Sequence, residues 1–466
     1  MSKSKVIKLS FRKLPDIEAA DLVTRCWNQQ TSQFDLYKAA RLFGRSTKSI
    51  FIYSDATSTK GVVMRWCGTH WVDYPRLSVL ADATKIYGKF LGSIKKQDEF
   101  IRALSLARHT TSLRFTLKPK IYLRNGVYNL ETRKLEKHDR KNFNTFVLPI
   151  KYDRNATAPR WCDFLADVIG IHDEQAGWVG DTAQIGLIQE YIGYCLQPSC
   201  DLEKLMLLFG SGSNGKSTFI KTVLQLFGSA ATLFALEEFK HKFTRGKLRG
   251  KLLAYHSDEE SGHAPISNII RTFSSGEMMR GEDKGLPVFE FWNTAKGLWA
   301  TNSVPNFEDK GFGTERRLLV VEFNRNFETE KMVDTKVQSK LKAELPGILN
   351  WAIEGYHTLR ERGNFNIPPL TRNATKDFMA DNDTVRSWLA ECTEEADTDL
   401  LTAAAFTSYA AYCRKNQVDK KFIFNRNRFG RHARKVLGIP SSHNKDGATL
   451  RGLRLKNPTS NIKPTP

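Results

Sequence analysis

The stretch Leu205–Phe227, LMLLFGSGSNGKSTFIKTVLQLF, decides the fold of this chain. An apolar run stops at a glycine-rich segment, and a pattern with helical spacing follows until Gly228. The glycine-rich segment fits the spacing G-x-x-x-x-G-K-[ST] of a P-loop. In such a loop the backbone N–H groups turn inward at the N-terminus of a helix, where they bind phosphate oxygens. The stretch therefore predicts an α/β fold with a nucleotide site.

The P-loop assigns roles to individual residues. The predicted nucleotide-binding residues are Gly210, Ser213, Asn214, Gly215, Lys216, Ser217 and Thr218. Lys216 is expected to reach the β- and γ-phosphates, and the hydroxyl of Ser217 is expected to bind Mg²⁺. We therefore expect ATP and Mg²⁺ as cofactors, whereas the process that the nucleotide drives has to be inferred from the rest of the chain.

The composition indicates what kind of partner the chain binds. It has 466 residues, 41% of them hydrophobic and 26% charged, which is typical of a globular protein of about three domains. The 71 Lys and Arg exceed the 50 Asp and Glu, so the formal net charge is +21. This excess favours a nucleic acid partner over a basic surface that serves only solubility.

Cysteine and hydrophobic patterns argue against two other classes of protein. The seven cysteines form no C-x-x-C pair and no Cys/His cluster with zinc-ligand spacing. We expect them to be small core residues in a reducing compartment. No apolar run approaches the about 18 residues of a membrane span, and no export signal follows the basic first residues. The sequence predicts a soluble cytoplasmic protein.

A second strand is predicted to end in carboxylates. Residues 251–260 are apolar until Asp258, which is followed by Glu259 and Glu260. In a P-loop ATPase one carboxylate at a strand end holds Mg²⁺, and a neighbouring acid polarises the attacking water. Asp258 is the predicted metal-side carboxylate. Either Glu259 or Glu260 is the predicted base, since the spacing does not choose between them.

A third strand and a fourth carry further candidates. The apolar part of residues 296–305 ends at Asn302, whose amide is placed to bond the γ-phosphate or the attacking water. An ordinary turn explains Asn302 almost as well. Arg316 and Arg317 then lead into the predicted strand Leu318–Phe323. They are either solvated edge residues or arginines that project into the site of a neighbouring subunit.

Two regions are candidates for DNA contacts. Between the second and third strands, Asp-Lys-Gly separates two short apolar pieces and predicts a hairpin with Lys284 at its tip. Between Arg414 and Lys456 there are thirteen Lys or Arg and two acids, which is a composition suited to phosphates. Helices are predicted at Thr384–Glu394, Thr402–Lys415 and Asn425–Leu437, and a strand pair around Ala448–Leu455.

This C-terminal pattern predicts a winged helix-turn-helix. The third helix is basic, it can be capped by Asn425, and a strand pair with glycine follows it. We expect Arg428, Arg431 and Arg434 to contact duplex DNA. The alternative is a basic solubilising tail, which the apolar spacing of the helices argues against.

Together these motifs resemble a known family. GSGSNGKST, LLAYHSDEE, the hairpin with Lys284, WATNSVP and GTERRLLVVEF follow one another in the order found in superfamily 3 helicases. The resemblance is closest to the D5-like primase-helicase branch of satellite phages and poxviruses. The upstream runs WCGTHW, LRNGVYNL and QEYIGYCL fit the same branch, so the similarity covers roughly residues 60–325.

The resemblance implies a P-loop AAA+ type core and a role for each candidate. Lys216 and Ser217 would bind phosphate and Mg²⁺, Asp258 with Glu259 or Glu260 would form the acidic motif, and Asn302 would sense the γ-phosphate. Arg316 or Arg317 would act in trans, and Lys284 would grip single-stranded DNA in a central channel. The chain differs from the family in two ways. The acidic motif begins with aspartate, where the family usually has glutamate, and no primase domain is recognisable.

The resemblance also implies a biological role. We expect a ring-forming replicative helicase, a hexamer, of a phage, satellite or plasmid-like element in the bacterial cytoplasm, which translocates 3′ to 5′ and unwinds duplex at an origin. A host primase or polymerase is an expected partner. One alternative is an origin-binding initiator that uses ATP as an assembly switch. Another is a double-strand translocase for genome packaging.

The expected domains follow the motifs along the chain. They are an N-terminal α+β domain at 1–115, a small β plus helical collar at 116–200, the AAA+ core at 201–375, a basic winged-helix domain at 380–456 and a disordered tail at 457–466.

Overall fold

The computed structural model describes residues 19–28, 30, 33–53, 61–107, 109–110, 119–259, 267–282, 288–302, 315–330, 334, 336–381, 384–416, 423–444 and 447–456. The helices are α1 (Ala19–Arg25), α2 (Leu36–Ser46), α3 (Arg76–Tyr87), α4 (Ile94–Ala107), α5 (Pro159–Val168), α6 (Thr182–Cys195), α7 (Lys216–Phe227), α8 (Lys242–Arg245), α9 (Ser267–Ser274), α10 (Val337–Ala343), α11 (Leu345–Arg362), α12 (Pro369–Asp381), α13 (Thr384–Cys392), α14 (Thr402–Lys415) and α15 (Arg426–Leu437). Within these ranges no helix is both long and apolar enough to cross a membrane.

The strands are β1 (Trp27–Asn28), β2 (Gln33–Phe34), β3 (Ser49–Tyr53), β4 (Gly61–Trp66), β5 (Trp71–Asp73), β6 (His109–Thr110), β7 (Lys120–Leu123), β8 (Gly126–Asn129), β9 (Lys134–Glu136), β10 (Gly170–Asp173), β11 (Gly177–Gly180), β12 (Leu205–Phe209), β13 (Ala231–Leu233), β14 (Leu253–Glu259), β15 (Met278–Gly281), β16 (Phe289–Trp292), β17 (Lys296–Thr301), β18 (Leu318–Glu322), β19 (Thr393–Glu395), β20 (Leu400–Leu401), β21 (Ser442–Asn444), β22 (Gly447–Leu450) and β23 (Leu453–Leu455).

The N-terminal part mixes helices with a small sheet. Strands β3 to β6 form a sheet in the order β5-β4-β3-β6, against which the helices of this region bury their apolar sides. The side chain of Asp35 caps α2 by accepting a hydrogen bond from the backbone N–H of Lys38 at 2.8 Å. Phe43, Tyr87 and Phe100 are at most 1% exposed and form the centre of this core.

Strands β7, β8 and β9 form a three-stranded antiparallel meander in the region where the sequence predicts a small β element. The segment 146–150 is not a strand. Leu148 makes a single bridge to Leu123 and donates its N–H to the Tyr122 carbonyl. The next residue is Pro149, which has no N–H to continue a ladder, so the pairing stops after one residue.

The central feature is a parallel five-stranded sheet in the order β13-β14-β17-β12-β18. Each strand that the sequence predicts around the P-loop is present, and α7 ends at Gly228, where φ is +53°. Helix α7 connects the inner strand β12 to the edge strand β13. The chain then adds β14 next to β13 and β17 between β14 and β12, and places β18 on the far side of β12. The prediction of an α/β fold is therefore confirmed.

Both faces of this sheet are covered by apolar side chains. Met206 and Leu208 point into a core that they share with α5, α6, α7 and α11, and Leu205 and Leu207 point into a second core on the other face. Parallel strands buried on both faces read as continuous apolar runs. Buried apolar residues between Ile121 and Leu196 belong to the first of these cores. The predicted collar and the sheet thus share one hydrophobic core across residue 200.

The C-terminal part has its own core of aromatic residues. Trp388, Tyr409 and Phe429, from α13, α14 and α15, are 0% exposed and contact one another. Two expectations are wrong in detail. Residue Glu394 lies in β19 and not in a helix. Strands β22 and β23 do not pair with each other: β22 pairs with β20 and β21, and β23 pairs with β19. The turn at Gly452, with φ at +72°, sends the two strands to different partners.

The sequence predicts that the cysteines are small core residues, and this is wrong for two of the seven. Cys26, Cys195, Cys200 and Cys413 are buried, and Cys392 is half-buried. Cys67 and Cys162 are exposed.

Candidate nucleotide-binding site and DNA contacts

The carboxyl ends of three strands lie side by side at the proposed nucleotide site. In β12, β17 and β14 the residues Phe209, Thr301 and Glu259 are successive partners across the sheet. The backbone N–H of Gly210, the first residue of the P-loop, also donates to the carbonyl of Thr301 at 3.3 Å. In open α/β sheets ligands bind at this edge, where the strand order switches. The fold thus brings the start of the P-loop next to Asn302 and to the end of the acidic strand.

The P-loop has the backbone conformation that a phosphate cradle needs. Gly215 precedes α7 with φ at +90°, and a Cβ atom there would lie 2.5 Å from Cγ1 of Val168. Ser213 also has a positive φ, +47°, which costs energy for a residue with a side chain. No side chain caps the N-terminus of α7. Its first N–H groups, which carry partial positive charge, are therefore a fitting place for an anion.

Lys216 is held inside the loop. It is 5% exposed, and its Nζ donates to the carbonyl of Gly210 at 2.6 Å and to Oδ1 of Asn214 at 3.0 Å. Nδ2 of Asn214 in turn donates to the carbonyl of Phe323, just after β18, at 2.9 Å. Ser217, one residue further along, is exposed. A buried ammonium beside an exposed hydroxyl and an uncapped helix N-terminus is a donor set that fits a phosphate chain with its Mg²⁺.

The acidic strand contains an irregularity close to its end. Pairing with β17 is regular as far as His256, opposite Trp299, and resumes at Glu259, opposite Thr301. Three steps along β14 therefore match two along β17, so β14 carries one extra residue. Such bulges re-aim side chains next to active sites. The side chains of Asp258 and Glu259, like all of Glu260, lie outside the described residues, so the choice of base stays open.

Sequence reasoning missed a segment that contacts the P-loop from outside. The backbone N–H of Phe327 donates to the carbonyl of Ser213 at 3.0 Å, and Oγ of Ser213 donates to Oε2 of Glu328 at 2.8 Å. This segment follows β18, so it emerges at the same edge of the sheet as the P-loop. The sequence already predicts β18 as a strand that ends beside the P-loop. The position of the segment directly after β18 was therefore the signal that could have placed it against the P-loop.

Arg325 anchors this segment. Its side chain is 9% exposed and pairs with Glu330 at 2.9 Å and with Asp167 at 3.5 Å. The guanidinium carbon also lies 5.3 Å from the ring centroid of Trp178 and 5.1 Å from that of Phe327. The segment after β18 is thereby fastened to α5 and to the hairpin β10–β11, next to the P-loop.

Arg316 and Arg317 lie at the opposite end of the strands, where β12 and β18 begin. They precede β18, whose first residue pairs with Leu205, the first residue of β12. The five residues of β12 span about 16 Å at about 3.3 Å per residue. Neither arginine can therefore reach the P-loop of its own chain.

The two arginines differ in exposure. The side chain of Arg317 is 7% exposed; it lies 2.7 Å from Oε2 of Glu203 and donates through Nε to Oγ of Ser274 at 3.0 Å. The side chain of Arg316 is 53% exposed and lies 3.2 Å from the same Glu203 oxygen. Burial lowers the pKa of Arg317, and it also lowers the pKa of Lys204, to which both arginines add repulsion. Three cations thus surround one carboxylate.

The predicted hairpin is present, and its predicted tip lies outside the described residues. Strands β15 and β16 pair antiparallel from Met278 opposite Trp292 to Gly281 opposite Phe289. Lys284 lies between the two strands in the sequence, within residues 283–287, of which the structure describes nothing. The hairpin itself is confirmed, whereas the position of Lys284 stays a prediction.

The arginines of the C-terminal helix α15 are not equivalent. Oδ1 of Asn425 accepts from the N–H of Arg428 at 2.9 Å and caps the helix, as predicted. Arg428 is exposed with its guanidinium carbon 4.5 Å from the ring centroid of Phe424, and Arg431 is exposed. Arg434 is half-buried, and its Nη1 is buried with no hydrogen-bond partner in the described part of the chain. Arg428 and Arg431 are the better placed for a phosphate.

Comparison with known proteins supports part of the resemblance. Residues 56–170 match the family described as D5 N terminal like, and residues 208–317 match a family of unknown function, DUF5906. Each match covers about a quarter of the chain. Among curated proteins, none matches.

Solved structures of the NrS-1 C-terminal region are similar to this chain. The apo structure of region 305–718 is 13% identical, with a TM-score of 0.49, and the match covers 90% of this chain and 98% of that one. An A-form apo structure of the region is 14% identical, with a TM-score of 0.48, and the match covers 74% of each chain. The family match supports the D5-like part of the resemblance over residues 56–170, and the superfamily 3 helicase part stays a prediction.

Proposed function

We propose that this chain is an ATP-dependent replicative DNA helicase of a phage, satellite or plasmid-like element, with a P-loop AAA+ core of the superfamily 3 type. One observation supports this most. The P-loop, the end of the acidic strand and the strand end before Asn302 meet at one edge of the sheet, while Arg316 and Arg317 lie at the other. In the proposed site, a single chain would carry the two walls on opposite sides of its core. Repeated copies in a ring would join them.

The residues of the site would divide the work as follows. Lys216 and the N–H groups at the start of α7 hold the phosphate oxygens, Ser217 and Asp258 hold the metal, and Asn302 orients the γ-phosphate or the water. Glu259 or Glu260 accepts the proton of the attacking water. When bound, Mg²⁺ neutralises charge that develops on the transferred phosphoryl group. An arginine of the adjacent copy stabilises the same charge from the other side.

Movement of the hairpin would couple hydrolysis to DNA. In the proposed ring, Lys284 at the tip of β15–β16 contacts the phosphates of a single strand in the channel. Exposed side chains at the root of this hairpin, among them Trp292 at 62% exposure, extend the surface available to nucleic acid. The C-terminal part, with its three helices and the strands β19 to β23, fits a winged helix that holds duplex DNA through Arg428 and Arg431.

Hydrolysis and strand separation, measured on the full chain, test this function. We expect single-stranded DNA to stimulate ATP hydrolysis by the wild-type chain, and we expect this chain to separate a forked duplex. The Lys216→Ala variant should neither hydrolyse ATP nor separate the duplex. Lys284→Ala should lose strand separation and keep basal hydrolysis, with Lys342→Ala, an exposed lysine on α10, as its matched control.

Two other results would contradict the proposal and identify an alternative. Stimulation by duplex alone, without strand separation, would indicate a packaging translocase. ATP-dependent assembly on duplex DNA, again without separation, would indicate an origin-binding initiator.

A further inference from the structure

The turn between β4 and β5 gathers a thiol, a hydroxyl and an imidazole at the surface. Sγ of Cys67 lies 3.3 Å from Nδ1 of His70 and 3.4 Å from Oγ1 of Thr69, and the last two atoms are 2.9 Å apart. The backbone closes the turn, because the N–H of Cys67 donates to the carbonyl of His70 at 3.0 Å. This cluster has no part in the proposed helicase function.

The geometry of the turn favours a thiolate at Cys67. Partial burial opposes ionisation, but hydrogen bonds from the His70 and Thr69 side chains and from their backbone N–H groups outweigh it and lower the pKa of Cys67 to about 6. The sulfur is therefore ionised at neutral pH.

The thiol is also open to reagents. Cys67 is exposed, and Gly68 beside it has φ at +104° with no atom within 4 Å of the place where a Cβ would be. His138, from another segment, interacts with His70. Burial lowers the pKa of His138, so it is neutral at pH 7 and does not add a charge beside the sulfur. Ionised, exposed cysteines are the ones that oxidants and electrophiles modify.

We propose that Cys67 is a covalent modification site whose thiolate exchanges with small disulfides. The sulfur of Cys67 attacks one sulfur of a disulfide such as oxidised glutathione, a new S–S bond forms, and the other half of the disulfide leaves as a thiolate. Cys67 is thereby oxidised and the departing thiol is reduced, so that no further reagent is needed.

The turn lies where a modification would affect the rest of the chain. Nδ2 of Asn144 donates to the carbonyl of Thr69 at 3.1 Å, and the N–H of Trp71 donates to the carbonyl of Asn144 at 2.8 Å. These bonds connect the N-terminal sheet to the segment that follows the β7–β9 meander. An adduct on Cys67 adds bulk at this junction.

The chain contains a matched control in Cys162. This thiol is also exposed, yet burial of its sulfur and the nearby Asp163 and Glu344 raise its pKa. Its thiolate fraction at pH 7 is therefore small. A difference in reactivity between Cys67 and Cys162 in the same sample reports the local environment and not the reagent.

Pulse alkylation of the full chain with iodoacetamide between pH 5 and 9.5, read by peptide mass spectrometry, tests the proposal. We expect the rate at Cys67 to reach half of its plateau near pH 6 and the rate at Cys162 to be rising still at pH 9. The pH midpoint, and not the plateau rate, tests the proposal, because a thiolate of low pKa is also intrinsically less nucleophilic. His70→Asn should move the midpoint at Cys67 upward by a pH unit or more.

Incubation with oxidised glutathione, followed by mass spectrometry of the adducts, is the second test. At pH 7 we expect a mixed disulfide on Cys67, reversible by dithiothreitol, and little on Cys162. Cys67→Ser should remove the adduct without changing the melting temperature by more than a degree or two. A midpoint at Cys67 near the ordinary value of about 8.5, or equal glutathione labelling of the two cysteines, would overturn the proposal.

Discussion

Nζ of Lys216 lies 2.6 Å from the carbonyl oxygen of Gly210, so the lysine spans the loop that it belongs to. The lysine is almost fully buried, and its Nζ donates to the neutral oxygens of Gly210 and Asn214. A bound triphosphate offers charged acceptors in the same place, and charge-assisted hydrogen bonds are about twice as strong as neutral ones. The loop is thus prepared for an anion before the anion arrives.

Replacing Lys216 with Ala should therefore abolish the response to nucleotide. We expect ATP hydrolysis to fall by about a hundredfold or more, as when a charge-stabilising donor is removed from other active sites. For the wild type, ATP at a hundred times its Kd should add about 2.7 kcal/mol of stability, seen as a rise in melting temperature. Lys216→Ala should lose this rise. An unchanged rise in the variant would show that the nucleotide binds elsewhere.

Arg325 is expected to hold the segment after β18 against the P-loop. Because its side chain is 9% exposed and its two carboxylate partners are 43% and 39% exposed, Arg325→Ala should cost about 1–3 kcal/mol, between the values for exposed and buried pairs. At about 2–4 °C per kcal/mol the melting temperature should fall by several degrees.

A matched control comes from the C-terminal part of the chain. Arg454 is 65% exposed and pairs with Glu394, so Arg454→Ala should lower the melting temperature by much less. Equal losses for Arg325→Ala and Arg454→Ala would mean that the contacts of Arg325 with Trp178 and Phe327 contribute nothing.

The arginines of α15 should separate into two groups in DNA binding. Arg428→Ala and Arg431→Ala should each reduce the dependence of log K on log salt by about one unit for duplex DNA, since each removes one phosphate contact. Arg434→Ala should lower the melting temperature and change this slope little, because its guanidinium is partly buried. Binding of a short duplex across a salt series measures the slope, with Arg102→Ala on α4 as an exposed control. A slope that only Arg434→Ala reduces would reverse the assignment.

Local patterns made the core of the fold predictable. The run from Leu205 to Phe227 contains its own strand, loop and helix, and Gly228 ends the helix both in the sequence pattern and in the structure. The strand ends at Glu259 and Thr301 were predicted for the same reason, since each is an apolar run that meets polar residues. That they are neighbours follows from the strand order, which no local pattern contains.

Contacts between distant residues account for what the sequence left open. Arg316 and Arg317 are adjacent and identical in type, but only Arg317 is buried, because Glu203 and Ser274 meet it from other parts of the chain. The partners of β22 and β23 likewise depend on where β19 and β20 lie. Such differences arise from tertiary packing, and spacing along the sequence carries no record of them.

The difference in exposure favours Arg316 over Arg317 as the arginine that the proposed mechanism supplies in trans. Arg317 is bound by Glu203 and Ser274, so Arg317→Ala should destabilise the chain. Arg316 is half exposed, and an exposed ion pair such as the one with Glu203 contributes about 1 kcal/mol or less, which a phosphate of an adjacent copy can replace. Arg316→Ala should therefore keep the wild-type melting temperature and lose hydrolysis by about a thousandfold. Melting curves and steady-state hydrolysis of both variants check this assignment.

Mixing two inactive variants tests the shared site most directly. Lys216→Ala retains Arg316 but has no working P-loop, and Arg316→Ala retains the P-loop but has no arginine to donate. If the site forms between copies, an equal mixture should hydrolyse ATP at roughly a quarter of the interfaces, well above either variant alone. Hydrolysis that does not recover on mixing, or full activity of wild-type chain at concentrations where it is monomeric, would contradict the account.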